Sequence, residues 1–376
     1  MLDPRTLKQQ AIDLTGLDDF GDEPLDDGLT IFCDSLRLES NLPQSRLRQA
    51  ETSIIASLSE RLRIEACLKQ HPSILEERIT SPIFVIGLPR SGTTALSQFL
   101  SEDPQMRSIR RWESTQVTPP PDAHNKFDPR IEETSRAFAA RDAALPALKT
   151  MLPVEPEDPS EHGIQLGLTF RNLQLPSLWP IPGYTNWLQD VDMRPAYMYF
   201  AKVLKLLQWK SPAPYWNLKN PPDIFSLTAI ASVFPDTRFV WAHRDPALSI
   251  PSVCSLVSTI REAGGETVDK PALGRMQLEF QSAGIKVAME SRRRLGEHMF
   301  VDVHQKDLNE DPVATLHSLY DALGLEFTKN FSDRLHARLK ARPKGKHGAH
   351  TYSHDEFGLD SPTIRAGFLD YLARFH

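Results

Sequence analysis

The pattern of hydrophobic and polar positions changes character near residue 81. Before it, apolar residues recur at three- and four-residue intervals, as in Ser53-Ile-Ile-Ala-Ser-Leu-Ser-Glu-Arg-Leu-Arg-Ile-Glu-Ala-Cys-Leu68, the spacing of one helix face. Residues 1–80 are therefore predicted to form a helical N-terminal extension, with Asp26 and Asp27 as N-caps of an earlier periodic stretch. Beyond residue 81 come four short apolar runs, each followed by a helix-period segment. Pro82-Ile-Phe-Val-Ile-Gly87 leads to a helix from Thr93 to Leu100, and Tyr215-Trp-Asn-Leu-Lys219 to one over 223–233. Arg238-Phe-Val-Trp-Ala-His243 leads to a helix through Ser258, and Met299-Phe-Val-Asp-Val303 to one over 312–323. Such runs suit strands buried on both faces, and their alternation with helices implies an α/β fold with a parallel sheet flanked by helices over 81–376. One long helix is expected over 268–298, its charged face ending in Arg292-Arg-Arg294.

Composition narrows the functional classes. Hydrophobic residues at 40% and charged residues at 24% are the balance of a globular protein. A formal net charge of -6 argues against a general nucleic-acid binder. No run approaches the roughly 18–20 apolar residues that span a bilayer, and the N-terminus lacks the charged-then-apolar order of a secretory signal. Cys33, Cys67 and Cys254 are in no paired spacing, so a reducing, cytoplasmic setting is expected. Many of the 30 prolines fall between about 119 and 222, where long ordered loops are expected.

The candidate chemistry begins at Gly87-Leu-Pro-Arg-Ser-Gly-Thr-Thr94. A loop between strand and helix, flanked by glycines, offers backbone N–H groups and the positive end of the helix to an anion. Its two glycines have the spacing of a nucleotide triphosphatase loop, but Thr93 stands where that loop carries lysine. The cation inside the loop is Arg90 instead. In this form the loop resembles the 5′-phosphosulfate loop of sulfotransferases that use 3′-phosphoadenosine 5′-phosphosulfate (PAPS), particularly the bacterial branch and the tyrosylprotein sulfotransferases. The resemblance implies a P-loop-type sheet, PAPS as donor and PAP as product. It assigns Arg90, Ser91, Gly92, Thr93 and Thr94 to the donor. A sulfuryl group in transfer carries less charge than a phosphoryl group, so the reaction is expected to need no metal.

Further motifs follow in the order that the family has them. Arg244, at a strand end, and Ser252, eight residues on, resemble the pair that grips the donor's 3′-phosphate; physically, they offer a planar donor fork and a hydroxyl. Lys219 matches the lysine placed near the donor's bridging oxygen. Lys344, Lys346 and His347, within Arg342-Pro-Lys-Gly-Lys-His-Gly-Ala-His350-Thr-Tyr352, resemble the basic segment that closes over the 3′-phosphate. Asp307-Leu-Asn-Glu-Asp-Pro312 matches a pattern expected to be structural.

For the proton acceptor the resemblance points to Glu113 in Arg111-Trp-Glu113-Ser-Thr115, as in the tyrosylprotein branch. Glu113, Lys219 and Arg90 are thus the expected catalytic set. Asp223, which stands where related bacterial sequences carry histidine, and His162 remain alternatives for the base. An insertion at about 115–215, including Trp179, Tyr184, Trp187 and Trp209, is expected to build the acceptor site, favouring a small-molecule or lipid or glycolipid hydroxyl. A homodimer contact through the N-terminal extension is left open.

Competing classes are weaker. His243-Arg-Asp245 and Asp19-Phe-Gly21 spell two protein-kinase tripeptides, but in reversed order and without the glycine loop of a kinase. A small-molecule kinase would want the loop lysine. His347, His350 and His354 lack the spacing of a helical metal site. A non-catalytic nucleotide binder with this fold is the remaining alternative.

Overall fold

Alternation along the central strand sets the layering. Strand β1 (Ile83–Ile86) sends Ile83 and Val85 into the core on one side of the sheet, and Phe84 and Ile86 into the core on the other. The computed structural model describes residues 2–125, 127–342 and 353–376. Around β1 lie β2 (Met106–Arg107), β3 (Tyr215–Lys219), β4 (Arg238–His243) and β5 (Phe300–His304), all parallel, in the order β2-β3-β1-β4-β5. Four of the five are the strands that the apolar runs predict. The two-residue β2 is too short to leave a periodic signal.

On the Phe84 side, one core runs from Trp216, Phe239 and Trp241 of the sheet to Leu29, Leu58 and Ile64 of the helices Asp26–Leu38 and Gln44–Gln70. On the Val85 side, Leu96, Leu100, Leu316 and Tyr320 cover it. Among the described residues, no helix is long and apolar enough to cross a membrane.

Two expectations are corrected. Asp26 and Asp27 lie inside the first turn of their helix, which starts after Leu25 and has no side-chain cap; there they still oppose the positive helix end. The proline-rich region is largely helical rather than looped. Helices Pro129–Ala144, Pro146–Met151 and Pro182–Asp190 each begin on a proline, because the first helical position needs no N–H donor and favours the fixed proline φ. The long helix expected over 268–298 is present as Lys270–Leu295, with Arg292, Arg293 and Arg294 in its last turn. Its Arg292 is 3% exposed and donates to Asp302 and Glu297.

Register aligns the carboxyl ends of the central strands. Val85 pairs with Lys219 and Ile86 with Trp241, so the segments after β1, β3 and β4 emerge at one edge, where parallel α/β sheets bind ligands. Asp311 caps the helix Pro312–Leu323 by accepting from Ala314 N.

Candidate active site

Two glycines shape the turn after β1. Gly87 has φ +138°, and a Cβ there would lie 2.4 Å from the Ala242 carbonyl oxygen. Gly92, at φ +96°, precedes the helix Thr93–Leu100. That helix turns its unbonded first N–H groups toward the loop. Between the glycines, Arg90 holds the left-handed φ of +68°, a conformation costing about 1–3 kcal/mol that usually marks a functional constraint.

Arg90 is held by contacts from distant parts of the chain. Its Nε donates to Ser252 Oγ at 3.2 Å and its Nη1 to the Met151 carbonyl at 3.2 Å. Its own carbonyl accepts from Arg244 Nη1 at 2.8 Å. Arg90, Arg244 and Ser252 therefore meet at one spot. Among the described residues, the buried Ser91 hydroxyl and Arg244 Nε have no hydrogen-bond partner. Unmet donors beside a helix N-terminus suit an anionic ligand. Lys344, Lys346 and His347 lie outside the described residues.

Lys219, at the end of β3, is buried under the loop. Its Nζ donates to Thr94 Oγ1 at 3.4 Å and to Glu161 Oε1 at 2.5 Å. The other Glu161 oxygen accepts from Gln174 Nε2, which also donates to Asn220 Oδ1 at 3.0 Å. Burial opposes ionisation of Glu161, but the Lys219 ammonium outweighs it and holds the carboxyl below its usual range. Loss of water in turn pulls the Lys219 ammonium below its usual value, despite Glu161. With its side chain 30% exposed, Glu161 can meet a ligand; Lys219 is 1% exposed.

The three residues expected to include the base are engaged inside the protein. Glu113 accepts from Arg107 Nη1 and Nη2, both at 3.2 Å, and from Arg110 N at 3.0 Å; Arg107 itself lies over the Trp216 ring. Asp223 accepts from Tyr197 Oη at 2.7 Å and from Asn220 Nδ2 at 2.6 Å. His162 Nε2 lies 2.8 Å from Asp223 Oδ2, and its ring stacks on Phe200. Neither His162 nor Asp223 is more than 1% exposed. Of the aromatic residues expected at the acceptor site, Trp179 and Tyr184 are core residues, Tyr184 Oη donating to the Phe170 carbonyl at 2.8 Å. Trp187 packs against that core, and Trp209 stacks near His71.

Glu161, Gln174 and Asn220 escape sequence reasoning. Glu161 follows Pro156-Glu-Asp-Pro-Ser160, a segment with no periodicity. Only folding brings it to Lys219.

The chain and fold that carry this glycine-flanked loop and these converging cations have counterparts among known proteins. Residues 82–329 match the model of the sulfotransferase family, and the chain belongs to that family. Among curated relatives, the omega-hydroxy-beta-dihydromenaquinone-9 sulfotransferase Stf3 of Mycobacterium tuberculosis (strain CDC 1551 / Oshkosh) is 22% identical over 266 residues, 65% of this chain and 63% of its own. The chain thus spans less than two thirds of that relative's length. Over its full length it superposes on the sulfotransferase STF9 of Mycobacterium avium, with TM-score 0.92, 26% identity and 97% of that chain covered. STF1 of Mycobacterium tuberculosis H37Rv gives TM-score 0.86 and 25% identity, covering 97% of this chain and 98% of its own.

Proposed function

We propose that this chain transfers a sulfuryl group from PAPS to the hydroxyl of a small-molecule or lipid acceptor. The observation that carries this reading is the meeting of Arg90, Arg244 and Ser252 beside the Lys219–Glu161 pair. The loop N–H groups and Arg90 hold the 5′-phosphosulfate, while Arg244 and Ser252 hold the 3′-phosphate. About five or six charge-assisted hydrogen bonds give roughly 8–18 kcal/mol gross, against about 4–15 kcal/mol for association. Micromolar donor binding is compatible with that balance.

In the transfer, the acceptor oxygen attacks sulfur as the bond to the donor's bridging oxygen breaks. The electron pair stays on the departing 5′-phosphate, where Lys219 and Arg90 stabilise the growing charge. Glu161 takes the acceptor proton. Its carboxylate is ionised and partly open, whereas Glu113 is closed in its pair with Arg107 and His162 and Asp223 are buried together. Lys219 is shared between Glu161 and the loop, so a donor that draws Lys219 toward its bridging oxygen frees Glu161 to accept a proton. The name of the relative Stf3 specifies a hydroxylated menaquinone as its acceptor, which places hydroxylated lipids among the acceptors to be tried.

Calorimetric titration with PAP in magnesium-free buffer, followed by a screen of hydroxylated metabolites and lipids with labelled PAPS, tests the reading. PAP binding without metal and labelled product are expected. Binding of ATP only with Mg²⁺, and no PAP binding, would overturn it in favour of a kinase.

A further inference from the structure

Residues 109–112 run antiparallel beside 156–160. Ser160 N donates to the Ile109 carbonyl at 2.7 Å, Arg111 N to the Asp158 carbonyl at 3.0 Å, and Trp112 N to the Pro156 carbonyl at 3.1 Å. This pairing fixes Arg111 near the segment that ends in Glu161. Arg111 is partly buried. Among the described residues its guanidinium forms no hydrogen bond or ion pair, and its Nε is fully enclosed without a partner.

The nearby carboxylates are already committed. Asp158 accepts from Arg338 Nη2 at 3.3 Å and from Arg342 Nη1 at 3.0 and 2.9 Å. Glu161 is held by Lys219 and Gln174, and Glu113 by Arg107. A guanidinium carries five N–H donors; here the enclosed Nε is unmet away from water, which is costly. Burial lowers the Arg111 pKa below its usual value, opposed chiefly by Glu161 and then Asp158. The charge of Arg111 in turn helps to depress Lys219. Arg111 therefore sits within electrostatic reach of both members of the Lys219–Glu161 pair, with its own donors unspent.

We propose that Arg111 is a catalytic residue that receives the non-bridging sulfuryl oxygens of the donor. The inference rests on the reading of the site given above. The two phosphates already have partners in that reading, at the loop with Lys219 and at Arg244 with Ser252. In that reading the sulfuryl group is transferred where Lys219 and the proton acceptor Glu161 meet; the backbone pairing carries Arg111 alongside the 156–160 segment, and His162 N, next to Glu161, donates to the Lys219 carbonyl at 3.2 Å. Its oxygens persist from donor to product while the bridging bond breaks and the acceptor bond forms. A planar fork can hold two of them throughout, keeping sulfur in line with the incoming oxygen.

PAPS and PAP differ only in the sulfuryl group, so binding of each to R111A, R111K and wild type tests the proposal without knowledge of the acceptor. R111A is expected to weaken PAPS binding by roughly 10- to 150-fold, the loss of one or two charge-assisted bonds, with PAP affinity within about twofold. R111K, which keeps the charge and loses the fork, is expected to fall between wild type and R111A for PAPS, again with PAP unchanged. Matched thermal unfolding of the three chains shows that the site is intact. Parallel losses for PAPS and PAP, or no loss for either, overturn the role of Arg111 while leaving donor binding established. If the wild type binds neither nucleotide, the functional reading fails and this inference fails with it.

Discussion

Arg90 and Ser252, 162 positions apart in the chain, meet through a 3.2 Å hydrogen bond from Arg90 Nε to Ser252 Oγ. One residue lies in the strained turn after β1 and the other in the helix Pro246–Ala263 after β4. Their contact joins the proposed phosphosulfate loop to the proposed 3′-phosphate clamp, so the two ends of a bisphosphorylated nucleotide would be held by one rigid unit.

Arg244 is expected to carry much of the donor affinity. R244A should cost about 2–4 kcal/mol, or roughly 30- to 1000-fold in PAP affinity, because it removes a charged fork from an enclosed anion site. Titration calorimetry with PAP reads this directly, and a loss below about threefold would place the 3′-phosphate elsewhere.

Glu161 and Glu113 should separate cleanly. E161Q is expected to lower kcat by about 10²- to 10⁴-fold while PAP affinity changes by only a few-fold. E113Q strands Arg107 in the interior, a break that costs about 3–5 kcal/mol, so its main effect should be a fall in Tm. Near-normal turnover by E161Q, measured with any acceptor that the wild type uses, would return the proton to another group.

Gly87 should tolerate no side chain. G87A must place a Cβ 2.4 Å from the Ala242 carbonyl oxygen at a φ of +138°. The expected cost is about 1–3 kcal/mol from strained backbone alone, read by denaturant unfolding. Wild-type stability in G87A would mean that the turn yields to a side chain at this position.

Acidification should weaken the fold through His243. This ring, buried at the end of β4, lies 3.0 Å from Tyr371 Oη and 2.8 Å from Asp302 Oδ1, near His304 and Arg292. Burial, against the opposing pull of Asp302, brings its pKa down to about 4. Between about pH 6.5 and 4 the unfolded chain takes up a proton that the folded chain refuses, so stability falls as pH drops through that window. Burial would raise Asp302, but hydrogen bonds from His243 and Arg292 hold its carboxyl well below the usual range, and the stability it adds is lost at lower pH still. Tm measured from pH 7 to 5 should decline in the wild type and less steeply in H243Q. An unchanged slope in H243Q would exclude the ring as the source.

Much of the scaffold is legible in the sequence because it depends on local periodicity. The runs at 82–87, 215–219, 238–243 and 299–303 each become a strand, since a parallel strand covered on both faces must be apolar throughout. The proline-rich region misleads because composition does not say whether a proline starts a helix or prevents one. Position within the turn decides that, and Pro129, Pro146 and Pro182 stand at helix starts.

For the site, the glycine-flanked turn from Gly87 to Thr94 and the order in which Lys219, Arg244 and Ser252 follow it can be read from the sequence. These are short-range features, set by glycine conformations, strand ends and helix starts. Which carboxylate meets Lys219 is set only once the chain has folded. Glu113 ends a single 3₁₀ turn and Glu161 lies in an irregular segment, and neither setting says in advance which cation each will meet. The fold closes Glu113 onto Arg107 and opens Glu161 beside Lys219, because the availability of a charge depends on which partner the folded chain brings to it, and those partners lie far apart in the sequence.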